Sequence, residues 1–526
     1  MPANTVHSVV TDLTIRFCSP GDGDALFTPQ LGSRVWHRVG KDLYLHSAPQ
    51  TAWLHIAQTE EKELSSGDLV VIDVRVGETI PDEELDQAWE KRPGGIWVRR
   101  SKYSGDIQRA VTAVDVLFGV DAVDPRPQWT IVHSPLELPD VDPQVPVARL
   151  TTRHGKKRSK PDNSHKGLLR VRADGKFKIL QISDTHMVTG VGVCNDAADV
   201  HGQPLPDSEA DPLTVDFIGH KLDVEKADLV VLTGDQVHHD ILDTQSALFK
   251  VAAPLIERKI PYAAVFGNHD SEGVYALSRS AQIEILQELP FSLSQSGPGK
   301  VDGIGNYYTQ IFAREPSKKP LSTLYFLDSH GQIPSEVQNP DYDPIKQSQI
   351  DWFSHAAQEL RKARKNKDDI FHTSIVFMHI PFLEFADDRL LVRGGHRREP
   401  TEGPSVNSHF YDALVKEGIQ AVGCGHDHVN DFCGLLQHVD KKPAPWLCYG
   451  GGSGFGGYCS YGKNRYHRRM RIWELDTSEE SLRTWKQVEY SDKRVDELVL
   501  VEKGVVVEPS DVGAGGFGAM PAEAEL

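Results

Sequence analysis

Residues 261–273 read PYAAVFGNHDSEG, a mostly apolar run followed by a glycine and then by an amide, an imidazole and a carboxylate. The apolar run predicts a buried strand that ends just before Asn268, His269 and Asp270. In sheets that alternate with helices, ligands bind outside the carboxyl ends of the strands, where short loops fix the side chains. The stretch therefore predicts an α/β fold with a ligand site at the end of this strand.

Four other apolar runs end in the same way, at side chains of the types that bind metal ions. The runs are KFKILQIS, ADLVVLTG, HTSIVFM and QAVGCG, and the side chains that follow them are Asp184, His186, Asp235, His379, His426 and His428. A single histidine or aspartate at a strand end is usually a core residue or a helix cap. Five strands that all end in this way predict a shared metal site.

The texture of the sequence divides the chain into four regions. Short β-rich runs bounded by Gly, Pro, Asp and Ser predict a β-rich N-terminal domain over residues 1–140. The Pro- and charge-rich residues 141–175 predict a linker. Apolar runs that alternate with helical patterns predict an α/β domain over residues 176–492. The small, glycine-rich and acidic residues 503–526 predict a disordered tail.

Two finer features of this division can be checked against a structure. Helical patterns over 244–258, 275–289 and 346–365 predict three helices, and the later strands predict a mixed second sheet. In the N-terminal region, VTDLTIRF and VTAVDVLFG are alike, and each leads to a strand that ends in histidine and serine. This similarity predicts a degenerate internal repeat, as in a β-prism or a β-sandwich.

Length, charge and cysteine content limit the class of protein. The 526 residues predict two or three domains, and 75 acidic against 57 basic side chains leave a formal net charge of -18, which disfavours nucleic acid as a partner. No apolar run reaches the roughly 18 residues of a membrane span, so no transmembrane segment is predicted. Six cysteines without a CxxC pair signal neither a disulfide framework nor a structural zinc site. We expect a cytoplasmic protein, or a nuclear one if the basic run GKKRSKP acts as a localisation signal.

The motifs SDTH, TGDQV, FGNHD, MHIP and GHDH, in this order over residues 176–490, resemble those of the calcineurin-like metallophosphoesterases. The resemblance implies a four-layer α/β fold, with two packed mixed β-sheets flanked by helices, preceded here by the β-rich domain. It also implies two divalent metal ions, for which mixed nitrogen and oxygen ligands favour Mn, Fe or Zn. One ion is expected to take Asp184, His186, Asp235 and His428, and the other Asp235, Asn268, His379 and His426.

The same resemblance implies a chemistry for the residues of the opening stretch. A hydroxide that bridges the two metals is expected to attack phosphorus in line. His269 is expected to contact the phosphate and to protonate the leaving oxygen, and Asp270 to orient His269 and favour its charged form. Purple acid phosphatases carry a tyrosine ligand where this chain has His238, so a ferric-tyrosinate site is not expected.

Longer stretches resemble a fungal group of phosphatases that includes a dose-dependent cell-cycle regulator of yeast. These stretches include GGIWVRRS, VLFGVDAVDPRPQW, GHDHVNDFCG and YGGGSGFGGY. The resemblance implies a phosphomonoesterase that acts on phosphoserine or phosphothreonine proteins in cell-cycle or stress signalling. Its substrate would then be a phosphorylated protein.

Two other functions stay open from the sequence. One is a phosphodiesterase acting on a nucleotide or a glycerophosphodiester, and a nucleotide would need a narrow pocket with a stacking wall from Tyr307, Phe382 or Phe455. A scaffold with vestigial catalysis would carry its partner surface on the β-rich N-terminal domain. Side chains that could contact a substrate phosphate are Arg393, Arg397, Arg398, Lys463, Arg465 and the pair His238 and His239.

Overall fold

The computed structural model describes residues 7–18, 35–79, 88–157, 169–205, 208–335, 337, 340–364, 371–436 and 444–508. The chain divides into two units. The first comprises residues 1–162, 189–191 and 245–253, and the second comprises residues 163–188, 192–244 and 254–526. No helix of the described ranges has both the length and the apolar character that crossing a membrane requires.

The first unit is built from three small antiparallel sheets. Its strands are β1 (Ser8–Cys18), β2 (Trp36–Arg38), β3 (Thr51–Glu60), β4 (Leu69–Val76), β5 (Trp89–Lys91), β6 (Ile96–Lys102), β7 (Val111–Phe118), β8 (Trp129–Ile131) and β9 (Ala148–His154). The sheet orders are β1-β3-β2, β4-β6-β5 and β7-β9-β8, so each sheet repeats one pattern in which the third strand pairs with both others. The first strands of the three sheets also lie against one another.

This arrangement confirms that the first strands of the predicted repeat are related and adds a third copy. The prediction that each leads to a strand ending in histidine and serine is wrong, because residues 43–46 form turns and β8 ends before His133. The first strand of each sheet carries a β-bulge close to its start. Pairing resumes at Asp12 and at Asp73 in the first two sheets, whereas in the third sheet Asp115 lies two residues beyond that point. Each aspartate side chain accepts a hydrogen bond from the backbone N–H of the next residue, at 2.8–2.9 Å. The third copy, LVVIDVRV, was not recognised as a repeat because only the aspartate and the alternation of apolar residues are kept.

The linker prediction for residues 141–175 is wrong for Ala148–His154. This segment is strand β9, which pairs with both β7 and β8 and so completes the third sheet. Ala148, Leu150 and the two threonines Thr151 and Thr152 are buried, so this strand packs into the core although its sequence is mostly polar. Residues 158–168, which include most of the predicted basic signal, lie outside the described residues.

The second unit contains two large mixed sheets. Its strands are β10 (Leu169–Arg170), β11 (Lys176–Ile182), β12 (Leu229–Thr233), β13 (Tyr262–Val265), β14 (Tyr307–Phe312), β15 (Pro320–Phe326), β16 (Thr373–Phe377), β17 (Leu390–Arg393), β18 (Ala421–Cys424), β19 (Cys433–Leu436), β20 (Trp446–Tyr449), β21 (Ser460–Tyr461), β22 (Asn464–Arg465), β23 (Arg469–Asp476), β24 (Ser481–Val488), β25 (Val495–Glu502) and β26 (Val505–Val506). One sheet has eight strands in the order β10-β14-β15-β16-β18-β20-β19-β17. The other has seven in the order β13-β12-β11-β23-β24-β25-β26, while β21 and β22 form a separate hairpin.

The two sheets pack face to face and helices cover their outer faces, so the four-layer fold is confirmed. One apolar core joins Ile179 and Val231 of the seven-stranded sheet to Phe326 and Phe377 of the eight-stranded sheet. The helices of the second unit are α1 (Ala210–Glu225), α3 (Arg279–Glu288), α4 (Gln347–Arg364) and α5 (Phe410–Glu417), whereas α2 (Thr244–Glu257) lies largely in the first unit. Helices α4 and α5 pack on the eight-stranded sheet in a second core, and Glu225 at the end of α1 accepts a hydrogen bond from Trp485 of β24.

Helices α2, α3 and α4 fall where the sequence predicts them, whereas α1 and α5 were missed. The face of α1 that is buried includes Asp211, Thr214, Lys221 and Glu225, so its apolar residues do not form the stripe that marks an amphipathic helix. Helix α5 has only eight residues, which is too short for its periodicity to stand out. Strands β25 and β26 continue the sheet past residue 492 and into the predicted tail, of which residues 509–526 lie outside the described part.

A disulfide joins Cys433 of β19 to Cys448 of β20, which the cysteine spacing did not signal. The two residues stand opposite each other in the antiparallel pair, with their Cα atoms 4.0 Å apart. Fifteen residues separate them in the chain, and only the pairing of the strands brings them together. Cys18, Cys194, Cys424 and Cys459 are free thiols.

Candidate metal centre

Five strands of the second unit bring polar side chains to one place. Strands β11, β12 and β13 are parallel neighbours in one sheet, and β16 and β18 are parallel neighbours in the other. The loops after these strands carry Asp184, His186, Asp235, Asn268, His379, His426 and His428. All seven side chains are buried, none more than 9% exposed.

The backbone at these positions is bent so that the side chains turn inward. Asp184, His186, Asp235 and His426 have φ values of 55°, 47°, 48° and 77°. Such left-handed conformations are uncommon for residues other than glycine, and they cluster at functional sites where the surrounding structure enforces them. The fold thus accepts local strain in order to place these four groups.

The side chains form two adjacent groups. Asp184, His186 and His428 make up the first group, and Asp235, His379 and His426 the second. In the first group the Nε2 atoms of His186 and His428 lie 3.1 Å apart, and His428 Nε2 lies 3.5 Å from Asp184 Oδ1.

Asp235 lies between the two groups. Its Oδ2 atom is 3.1 Å from His379 Nε2 in its own group and 4.0 Å from His186 Nε2 in the other. This is the position that a carboxylate shared by two metal ions must occupy.

The donor set fits two divalent cations. Asn268 Oδ1 and His426 Nε2 are buried and have no hydrogen-bond partner among the described residues, and His379 Nε2 faces the carboxylate of Asp235 at 3.1 Å. Leaving such atoms unpaired is costly, and a cation in contact with them would remove that cost. Imidazole nitrogens together with carboxylate and amide oxygens suit Mn, Fe or Zn better than Ca.

Hydrogen bonds behind two of the histidines fix which ring nitrogen faces the centre. The backbone oxygen of Thr233 accepts from His379 Nδ1 at 2.8 Å, and that of Tyr458 accepts from His428 Nδ1 at 2.8 Å. Both rings therefore turn Nε2 inward in the form that can bind a metal. Burial also lowers the pKa of His186 and His426 well below the ordinary value, which keeps these imidazoles neutral.

Asp270 has a different role from the one expected, and the interpretation that it orients His269 is wrong. Its side-chain oxygens face the backbone of the neighbouring loops. They accept hydrogen bonds at 2.7–3.0 Å from the N–H groups of Asp235, Gln236, Val237 and Gly267. Asp270 therefore ties the loop after β12 to the loop after β13 and holds Asp235 in place.

His269 pairs instead with Glu272, which the sequence interpretation overlooked. His269 Nδ1 lies 2.5 Å from Glu272 Oε2. Residues 269–271 form one 3₁₀ turn, and in such a turn the side chains at positions i and i+3 lie on the same side. Burial lowers the pKa of His269, but Asp235 and Glu272 outweigh this effect and raise the pKa to about 9. The i, i+3 spacing of His269 and Glu272 was the signal that could have identified this pair.

Further histidines surround His269 at the rim of the centre. The ring centroid of His269 is 5.3 Å from that of His186 and 5.4 Å from that of His239. His238, which replaces the tyrosine of the purple acid phosphatases, has its ring 5.7 Å from His186. His238 and His239 therefore stand beside the centre, and with Asp240 they form a third, more exposed group of metal-ligand types.

The glycine-rich stretch YGGGSGFGGY packs directly against the first group. A side chain at Gly457 would clash with the His428 ring and would come within 2.8 Å of His186 Cδ2. A side chain at Gly454 would clash with the backbone of Thr185. Next to the stretch, the Tyr458 ring stacks on the His428 ring with the centroids 4.0 Å apart. The glycines are thus needed for the close approach of this loop to the two histidines, a role that the sequence alone did not show.

Replacing Gly457 with alanine should therefore weaken metal binding at the first group. The new methyl group must displace His428 or His186, and we expect a roughly 10- to 100-fold loss of affinity for one of the two ions. Elemental analysis after dialysis should show about one metal per chain instead of about two. Gly299→Ala, at a position with open space around it, is the matched control. Full metal content in Gly457→Ala would show that the loop adapts and does not position the histidines.

The arginines proposed from the sequence are used elsewhere in the fold. Arg398 Nη1 lies 2.6 Å from Oδ1 of the buried Asp431, and Arg397 and Arg393 donate to the backbone oxygens of Phe385 and Val392. Arg465 lies 3.7 Å from Asp196, and Lys463 is exposed. The described structure offers no support for these side chains as phosphate ligands.

The predicted stacking wall is also absent at the positions considered. Tyr307, Phe382 and Phe455 are 3%, 6% and 3% exposed, and each packs among buried neighbours. The Tyr307 hydroxyl donates to the backbone oxygen of Ala264 at 2.8 Å. These aromatic residues are packed into the interior, which is the more frequent use of such residues.

Comparisons with known proteins agree with the geometry. A model of the calcineurin-like phosphoesterase family matches residues 177–430. The chain is 35% identical to phosphatase DCR2 of Saccharomyces cerevisiae over 73% of its own length and 65% of the yeast protein, so it spans less than two thirds of that relative. It is 35% identical to probable inactive purple acid phosphatase 29 of Arabidopsis thaliana, over 62% of this chain and 86% of the plant protein. Among solved structures, a dimetal phosphatase from Danio rerio aligns with 13% identity and a TM-score of 0.39, over 62% of this chain and 99% of that one.

Proposed function

The chain belongs to the calcineurin-like phosphoesterase family, and from this premise we propose that it hydrolyses phosphomonoesters, with phosphoserine and phosphothreonine proteins as its substrates. The observation that carries the proposal is the complete donor set at the strand ends, in two groups with Asp235 between them. Two of its buried atoms, Asn268 Oδ1 and His426 Nε2, have no hydrogen-bond partner among the described residues, as expected of ligand atoms in a cation site.

Each part of the centre has a task in this reaction. Two divalent cations, when bound, would neutralise charge on the phosphoryl oxygens and lower the pKa of water. The seven side chains would hold these cations, and Asp270 fixes the loop that carries Asp235. His269 lies at the rim, where its Nε2 atom can pass a proton to the leaving oxygen. Glu272 holds the Nδ1 atom of His269 and favours the protonated ring.

Two observations support a monoester over a diester. The aromatic residues considered for a nucleotide-stacking wall are buried in the core, which removes the feature that would favour a nucleotide. The yeast relative carries the name phosphatase. From the resemblance to the fungal group we also propose a role in cell-cycle or stress signalling. We propose a location in the cytoplasm or the nucleus as well.

A scaffold without catalysis is the second candidate, and the name of the plant relative as a probable inactive phosphatase is the observation that favours it. Against it stands the completeness of the centre in this chain, where all seven expected side chains are buried together. A centre that no longer served catalysis would have no reason to keep buried ligand atoms without hydrogen-bond partners, or a strained backbone.

Initial rates on three substrates test the proposal. We expect the protein, loaded with Mn²⁺, to hydrolyse p-nitrophenyl phosphate and a phosphoserine peptide at least about 10-fold faster than bis(p-nitrophenyl) phosphate, judged by kcat/KM. A preference for the bis ester would show that the protein is a phosphodiesterase and not a monoesterase. Metal binding without turnover of any of the three would favour the scaffold.

A further inference from the structure

Tyr342 lies on a small hairpin beside the second group of candidate ligands. Residues 331–333 and 341–343 pair as two short antiparallel segments. The N–H of Ile333 donates to the backbone oxygen of Asp341 at 2.8 Å, and that of Asp343 donates to Gly331 at 2.9 Å. The Asp341 side chain accepts from the backbone N–H groups of Tyr342 and Ser405 at 2.8 and 3.0 Å, which anchors the hairpin.

The hairpin touches two members of the candidate centre. The Tyr342 ring meets the His426 ring edge to face, with the centroids 4.9 Å apart and the planes at 86°. A Cβ atom at Gly331 would lie 3.4 Å from Asn268 Cβ, which places the other segment of the hairpin against the loop after β13. The hairpin therefore contacts two of the candidate ligands, and the Tyr342 ring lies against one of them.

The Tyr342 side chain is 9% exposed, and the hydroxyl is its only polar group. Within the described ranges no protein group forms a hydrogen bond with it, whereas the hydroxyls of Tyr307, Tyr449 and Tyr458 are all paired. A tyrosine hydroxyl is protonated at neutral pH and can therefore donate a hydrogen bond. It is thus a hydrogen-bond donor beside the metal centre with no acceptor in the described protein.

We propose that the Tyr342 hydroxyl donates a hydrogen bond to a phosphoryl oxygen of the substrate at this centre. The inference rests on the proposed function only in taking a phosphoryl group as the ligand. The arginines considered from the sequence pair with other protein groups. A neutral hydroxyl donor would take their place and bind the phosphate together with the cations. Nothing in the sequence pointed to Tyr342, because it follows no motif and lies far along the chain from the histidines that surround the site.

Binding of inorganic phosphate to the Mn²⁺-loaded full chain, measured by calorimetry, tests the inference without turnover. Tyr342→Phe removes only the hydroxyl and keeps the ring against His426. We expect its Kd for phosphate to rise roughly 10-fold, as for the loss of a hydrogen bond to a charged group, with metal content and Tm unchanged. Tyr308→Phe, at a 39% exposed tyrosine of β14, is the matched control and should bind phosphate like the wild type.

The outcomes separate this inference from the proposed function. A wild type that binds phosphate and loses affinity on Tyr342→Phe, yet hydrolyses no ester, would reject the proposed function and keep the inference. Unchanged phosphate affinity in Tyr342→Phe with both metals in place would overturn the inference. Loss of metal in Tyr342→Phe would overturn it too, because Tyr342 would then act through His426 and not on the ligand.

Discussion

Asp235→Asn should lose metal and turnover together, with kcat/KM on p-nitrophenyl phosphate reduced on the order of 10³-fold or more. The substitution keeps the shape of the side chain and removes the negative charge that lies between the two groups. Two cations held close together repel each other, so the shared carboxylate is the ligand whose charge both need. The measurement is elemental analysis beside initial rates.

Asp216→Asn is the control for this change, since Asp216 is an exposed carboxylate on α1. It should retain full metal content and full rate. If Asp235→Asn kept two metals and near wild-type turnover, Asp235 would not be the shared ligand, and the assignment of the two groups would have to be redrawn.

His269→Ala should instead retain both metals and lose turnover in a way that depends on the leaving group. We expect kcat on a phosphoserine peptide to fall roughly 10²- to 10⁴-fold, because an alkoxide leaving group needs a proton from the enzyme. p-Nitrophenolate is stable without that proton, so the fall on p-nitrophenyl phosphate should be much smaller. Steady-state rates on the two substrates, with metal analysis of the same samples, give this comparison.

Glu272→Gln provides a graded companion to the His269 variant. The amide keeps a contact to His269 Nδ1 but no longer favours the charged ring, so the peptide rate should fall less than in His269→Ala. Equal losses on both substrates in His269→Ala, or loss of metal, would refute the role of His269 as the proton donor and make it a structural neighbour of Asn268.

Much of the fold follows from local patterns. The apolar runs that precede the polar residues 184, 235, 268, 379 and 426 are short and sharply bounded, so both the strands and their carboxyl ends could be placed. The sites of α2, α3 and α4 followed in the same way. Helix α1 escaped because its buried face is partly polar, and β9 escaped because its charged residues look like those of a linker.

The candidate site was less fully predictable, because several of its contacts are made by groups far apart in sequence. The identity of the metal ligands follows from residue type at strand ends. The partner of His269 was missed because its only signal is the i, i+3 spacing of Glu272, which has meaning only if a turn forms there. The role of Asp270 was misassigned because its partners are backbone N–H groups, and no residue type in the sequence marks such a contact. The roles of Gly457 and Tyr342 arise from contacts with His428 and His426, which only the folded chain brings near.

The most direct test of a dinuclear catalytic centre is a metal titration of the wild-type protein. The chain is stripped with a chelator, Mn²⁺ is added back in known equivalents, and the initial rate on p-nitrophenyl phosphate is followed. The account predicts negligible rate in the stripped protein and a rise that saturates at about two equivalents per chain. Turnover that persists without metal, or that saturates at one equivalent, would contradict it.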